Sequence, residues 1–295
     1  MVAAGGSKML MVYRSRPLTT SDASVRTAVI MIHGTRRDGH QYYRMLVDAA
    51  RIAGELPHTL LIAPQFRGND GRGCNDSAAP QELLWGCDAW KYGDAPARNA
   101  PLDSFSALDQ LLRLVADRTR FPRLERVVVA GHSAGGQLVQ RYAAGASLAV
   151  SGVSLRFVVA NPSSFMYFSG DRPFPAGDCP IVNRYRYGLD GRRGYLSRLP
   201  AEALWQNFMA RDVRILASAE DTLADGQLDR SCAAQAQGAN RFERAVHFAA
   251  LHGIQERLVR VPGCGHNAAC VYSSEAGREA LFGRGSAPSS GSGLK

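Results

Sequence analysis

Lysine is scarce in this chain: among its 295 residues and 35 basic side chains, only Lys8, Lys91 and Lys295 are lysines, so arginine carries the formal charge of +9. The arginines are scattered among Asp and Glu in nearly every segment. A nucleic-acid binder would gather its charge and interleave it with aromatics, so no nucleic-acid partner is expected. Long hydrophobic runs are missing too. No uninterrupted apolar stretch reaches the roughly 18 residues that cross a bilayer, which excludes a membrane-spanning helix. Internal repeats and Pro/Ser-rich linkers are also lacking, so residues 8–282 read as one domain. Met1-Val2-Ala3-Ala4-Gly5-Gly6 has neither the charged nor the apolar region of a signal peptide.

Six cysteines are present, at 74, 87, 179, 232, 264 and 270, with no Cys-x-x-Cys pair to suggest redox or zinc chemistry. Disulfides are the expectation. Cys264 and Cys270 bracket one short loop and Cys74 and Cys87 another, leaving Cys179 for Cys232, although six cysteines permit about 15 pairings. Three bridges imply an oxidising compartment, hence a secreted or periplasmic protein whose signal peptide has been removed. The alternatives are six reduced cysteines in a cytosolic protein, or a zinc set of Cys264, His266 and Cys270 that lacks a fourth ligand.

What is plentiful is alternation of strand and helix patterns. Lys8–Arg14, Thr27–Ile32, His58–Phe66, Leu155–Ala160, Val213–Ala217 and Arg257–Val261 read as strands, and Thr27–Ile32 is apolar on both faces, as a central parallel strand must be. Helical spacing marks Gln41–Ala53, ended by Gly54, then a helix capped by Asp103 or Ser104, Arg241–His252 and Glu275–Phe282. The pattern predicts an α/β fold with a mainly parallel central sheet and helices on both faces. A long Gly/Asp/Asn-rich loop, 67–100, and an insertion, 164–211, interrupt it. From Gly283 onward the Gly/Ser/Pro-rich tail, 283–295, reads as disordered.

Behind the apolar run Val127-Val128-Val129-Ala130 stands Gly131-His132-Ser133-Ala134-Gly135, followed by a helical pattern. Strand, tight turn and helix form the setting in which Ser133 is presented as a nucleophile, with small neighbours because larger side chains would collide across the turn. Serine needs a base, and the base needs an acid to orient it. Of seven histidines, His266 lies in a glycine-rich loop behind the last strand. His132 is expected to point away from a substrate, and His33, His40, His58, His247 and His252 lie at strand ends, in turns or on helices. Asp221, in the loop behind the strand Val213–Ala217, is the expected acid, with Glu220 next and Asp225 third.

The order Ser133, Asp221, His266, each behind its own strand, resembles the α/β-hydrolase superfamily over roughly 8–282. The resemblance implies that the three side chains meet above the carboxyl edge of the sheet. It also implies an oxyanion site built from the backbone N–H of Ala134 and of Thr35, or less favourably Arg36, in His33-Gly34-Thr35. The elbow and the histidine loop look like those of secreted esterases, lipases and polyester hydrolases, although the insertion departs from small lidless cutinases. The implied activity is hydrolysis of a small-molecule or polymeric carboxylic ester through an acyl-enzyme, with no metal or organic cofactor. Amide or thioester hydrolysis by the same machinery, and a non-catalytic binding protein, are the alternatives. The fold commonly carries a cap where 164–211 lies. Trp85, Trp90, Tyr92 and Phe165 are the candidate substrate contacts, against the reading that such aromatics are local core and the insertion's arginines solvated surface.

Overall fold

The computed structural model describes residues 2–3, 8–71, 73–95, 102–146 and 152–285. Its strands are β1 (Val2–Ala3), β2 (Met9–Arg14), β3 (Thr27–Ile32), β4 (Thr59–Gln65), β5 (Arg67–Gly68), β6 (Leu84–Trp85), β7 (Arg126–His132), β8 (Ser154–Ala160), β9 (Asp212–Ser218) and β10 (Leu258–Val261). Its α-helices are α1 (Gly39–Ile52), α2 (Ser104–Val115), α3 (Ala134–Gly145), α4 (Ala201–Ala210), α5 (Cys232–Gln235), α6 (Arg241–Leu251), α7 (Ala268–Ser273) and α8 (Glu275–Phe282). The main sheet has the order β1-β2-β4-β3-β7-β8-β9-β10. From β4 to β10 the strands are parallel, while β2 is antiparallel to β4 and β1 to β2.

Strict alternation of side chains explains why the central strands are apolar throughout. Ala28, Ile30 and Ile32 of β3 join Val127 and Val129 of β7 in the core beneath α2, α3, α4 and α6. Val29 and Met31, with Val128 and Ala130, enter the opposite core beneath α1, α7 and α8. Helix ends follow local chemistry. Asp103 caps α2 by accepting the Ser106 N–H at 2.7 Å, and Gly54, in the left-handed region at φ 71°, follows α1.

The elbow is sterically closed. Ser133 has φ 58° and ψ −119°. A Cβ at Gly131 would lie 2.4 Å from the Gly135 backbone, one at Gly135 2.4 Å from the Ile32 carbonyl, and one at Gly136 2.7 Å from the Ala160 carbonyl. Larger residues would force α3 away from β3 and β8.

Three disulfides join Cys74 to Cys87, Cys179 to Cys232 and Cys264 to Cys270. The first pins the loop after β4, which also holds the β5–β6 pair and a 3-10 turn, Ala89–Tyr92; 96–100 lie outside the described residues. Several arginines are interior. Arg257 donates to the Phe208, Met209 and Arg211 carbonyls at the end of α4. Arg156 pairs with Asp212 and reaches the Ala280, Gly283 and Gly285 carbonyls. The guanidinium's fan of five donors suits helix C-termini, where carbonyls lack partners. Residues 283–285 are therefore hydrogen-bonded to the domain, and 286–295 lie outside the described residues.

Candidate active site

Four loops leave the carboxyl ends of parallel strands on one edge of the sheet, where such folds place their ligands. They carry Gly34-Thr35 behind β3, Ser133 behind β7, Asp221 behind β9 and His266 behind β10. The pairing of β3 with β7, from Thr27 opposite Arg126 to Ile32 opposite Gly131, brings the first two loops level. A Cβ on Gly34 would lie 3.8 Å from the Ser133 Cβ.

His266 bridges Ser133 and Asp221. Its Nε2 is 3.0 Å from the Ser133 Oγ, and its Nδ1 is 2.7 Å from the Asp221 Oδ2. A carboxylate only accepts, so Nδ1 carries the proton, and Nε2 is left to accept from the serine hydroxyl. Asp221, only 2% exposed, also accepts from Asn161 Nδ2 at 2.7 Å and from Arg241 Nη1 at 3.3 Å. Ser218 Oγ in turn donates to Asn161 Oδ1 at 3.1 Å. The buried carboxylate is thus satisfied on both oxygens and can hold the imidazole in one orientation.

The two other candidate acids are engaged elsewhere. Asp225 is clamped by Arg241 at 2.9 and 3.1 Å, and that hydrogen bond, with the Gln227 N–H and the arginine charge, holds its carboxyl at about 2. Glu220 has an exposed side chain, and its backbone N–H ties the acid loop to the Cys264 carbonyl at 3.2 Å.

His132 does not point away from the site, as its place in the elbow suggested. Its ring lies 4.5 Å from that of His266 and lines the same cleft. Its Nδ1 is 3.3 Å from the Tyr42 hydroxyl, and its Nε2 has no partner among the described residues. Burial first, then the neighbouring His266 and Arg241, push its pKa well below 6.5, so it packs as a neutral ring.

Around Ser133 the cleft has two arms that share Thr35, Ser133 and Gln227. One, of about 210 Å³, runs past Tyr42, His132 and His266. The other, of about 410 Å³, runs past Ala134, Gln137, Tyr92, Arg186 and Tyr187. Ala134 opens α3, where the first amides lack intrahelical acceptors and the positive end of the helix dipole lies.

The alpha/beta hydrolase family model matches residues 29–280. The chain belongs to the alpha/beta hydrolase family. As expected of that family, its mainly parallel sheet is flanked by helices on both faces. Two solved structures share the fold of this alpha/beta hydrolase. LpqC, a poly(3-hydroxybutyrate) depolymerase from Bordetella parapertussis, is 24% identical with a TM-score of 0.64, over 92% of this chain and 83% of its own. Poly(aspartic acid) hydrolase-1 from Sphingomonas sp. KT-1 is 21% identical with a TM-score of 0.66, over 92% and 93%. No curated protein sequence matches the chain.

Three of the four candidate substrate contacts in this hydrolase are interior packing residues. Trp85 and Trp90 are fully buried; both rings pack on Phe66, and Trp90 also packs on His33 at 4.6 Å. Phe165 is fully buried and stacked on Phe248 at 4.4 Å. Tyr92 alone of the four lines the cleft. The sulfurs of Cys264 and Cys270 are joined to each other, so the zinc reading of that loop is excluded. Sequence reasoning missed Asn161 and Arg241. The signal for Asn161 was a polar residue directly behind a strand, at Ala160-Asn161-Pro162, where it takes φ 47°. Arg241 gave none, because the residues it contacts are 16 and 20 positions away.

Proposed function

We propose that this hydrolase cleaves carboxylic esters, small or polymeric, through a Ser133–His266–Asp221 triad and an acyl-enzyme. The observation that carries the reading is the continuous chain of hydrogen bonds from Ser133 Oγ through both His266 nitrogens to a buried, doubly supported Asp221. Ser133 Oγ attacks the ester carbonyl while His266 Nε2 takes its proton, and the Asp221 carboxylate stabilises the imidazolium. The amides of Ala134 and Thr35 receive the oxyanion. His266 then protonates the departing alcohol and activates a water, which releases the acid and regenerates the serine. No step calls for a metal or an organic cofactor.

Segment 164–211 is assigned as the cap, since its Arg186 and Tyr187 line one arm of the cleft. Its aromatics serve it as core: Phe165, Phe168 and Phe208 pack on or near Phe248. Three disulfides support a secreted or periplasmic location. Among the described residues no helix is long and apolar enough to cross a membrane.

The test is hydrolysis of a p-nitrophenyl ester series by wild type and Ser133→Ala. The variant is expected to lose at least about 10⁴-fold in kcat and all labelling by a serine-directed phosphonate. Full activity in pure Ser133→Ala protein overturns the proposal.

A further inference from the structure

The larger arm of the cleft is polar, lined by two acids, Asp88 and Asp229, and two bases, Lys91 and Arg186, of which Arg186 forms no ion pair with a described residue. Three cations surround the Tyr92 ring: Arg186 Cζ at 3.7 Å from its centroid, Lys91 Nζ at 5.1 Å and Arg141 Cζ at 5.2 Å. Lys91 is neutralised by Asp88 at 2.7 Å. Arg141, fully buried, donates among the described residues only to the Gln137 and Arg186 carbonyls, at 2.8 and 2.9 Å. Neither Arg141 nor Arg186 has a carboxylate within salt-bridge distance among the described residues. Asp229, the other acid of this arm, instead accepts from the Tyr187 hydroxyl at 2.8 Å and the Ser231 N–H at 3.0 Å. Asp94 lies within reach of the Arg186 charge but not within salt-bridge distance; burial raises its carboxyl, and the Arg186 and Arg193 charges lower it.

A second, independent group awaits a partner in the same arm. Gln137 stands one helical turn beyond Ser133 and is 2% exposed. Its amide nitrogen donates to Ser164 Oγ at 2.9 Å, whereas its Oε1 is buried with no partner among the described residues. A guanidinium without a direct ion pair in a partly desolvated site favours an anion, and its planar fork matches a carboxylate.

Resting on the esterase reading above, we infer that this arm selects an ester whose chain carries a carboxylate, which pairs with Arg186 as the ester carbonyl reaches Ser133. Gln137 Oε1 accepts a hydrogen bond from a hydroxyl or amide of the same chain. Arg186 is thus a specificity-determining residue contributed by segment 164–211. Long, purely aliphatic chains find too little apolar lining here to be bound.

The experiment compares charged esters with neutral amide counterparts by proton release at constant pH. Ethyl hydrogen glutarate against ethyl glutaramate places the carboxylate on the acyl side; butanoyloxyacetate against butanoyloxyacetamide places it on the alcohol side. In at least one pair the wild type is expected to favour the carboxylate by about tenfold or more in kcat/KM, mainly through KM, as one charge-assisted bidentate contact provides. Arg186→Gln is expected to erase that ratio and Arg186→Lys to keep part of it. Equal rates within both pairs, or a preference that survives Arg186→Gln, overturns the inference. p-Nitrophenyl acetate in the same preparation reports on the esterase reading separately. If no ester is cleaved, calorimetric titration of both carboxylates into Ser133→Ala and Ser133→Ala/Arg186→Gln decides the inference. Binding that is lost with Arg186 supports it, and no difference between the two proteins overturns it.

Discussion

Ser133 holds a backbone conformation that costs an ordinary residue on the order of 1–3 kcal/mol, and three glycines leave the space in which it persists. The strain places Oγ above the helix terminus and opposite His266. Asp221 illustrates the same dependence on neighbours. It lies beside Glu220 and four residues from Asp225, which shares Arg241 with it, yet of the three it alone bonds to Asn161 and His266. Asp221→Asn should lower kcat by on the order of 10³–10⁴-fold, because an amide can donate and no longer enforces the Nδ1–H tautomer. Glu220→Gln, at an exposed position, should stay within about a factor of two of wild type. Steady-state kinetics of the two variants checks this, and the reverse ranking would reassign the acid.

Loops behind strands bring the site together, and disulfides hold two of the segments around it. The Cys264–Cys270 bridge spans six residues and encloses His266, whereas Cys179–Cys232 spans 53 and ties segment 164–211 to α5. Loop-closure entropy grows with the logarithm of loop length, so the longer bridge should contribute more to stability, about 4 kcal/mol against about 2–3 for the shorter. Its importance for position is the reverse. Cys264→Ser/Cys270→Ser should therefore lower kcat with a small loss of Tm, and Cys179→Ser/Cys232→Ser should lower Tm further. Calorimetry and kinetics on the two double variants separate these effects. Equal changes in both quantities would show that the short bridge does not orient the histidine loop.

Across the whole molecule, buried histidines couple stability to pH. His33 donates from Nδ1 to the Gly34 carbonyl and accepts the Phe66 N–H at Nε2, so protonation would break an interior hydrogen bond. Burial lowers its pKa to about 4, and that of His252 to about 4 as well. Between the unfolded value of 6.5 and about 4 the unfolded chain holds the extra protons, so stability is full above pH 6.5 and falls as pH drops. Each such group contributes a slope of about 1.4 kcal/mol per pH unit at most. Asp38 and Asp94, whose carboxyls burial raises, act in the opposite sense through smaller shifts. Tm should fall from pH 7 to pH 4.5, less so in His33→Gln; a Tm flat across that range would contradict the assignment. Residue order alone determined the parallel strands, the elbow, and Ser133 and His266 as residues that meet at the sheet edge, and it made the pairing of nearby cysteines the expectation. Those features follow from local periodicity, turn sterics and short spacing, which a linear chain displays. Only the tertiary structure decided which carboxylate faces His266, that Trp85, Trp90 and Phe165 are core, that His132 packs on His266, and that Arg186 lines the same arm of the cleft as Ser133 with no salt bridge among the described residues. Each of these depends on how segments distant in the chain exclude water from one another, which no local pattern encodes.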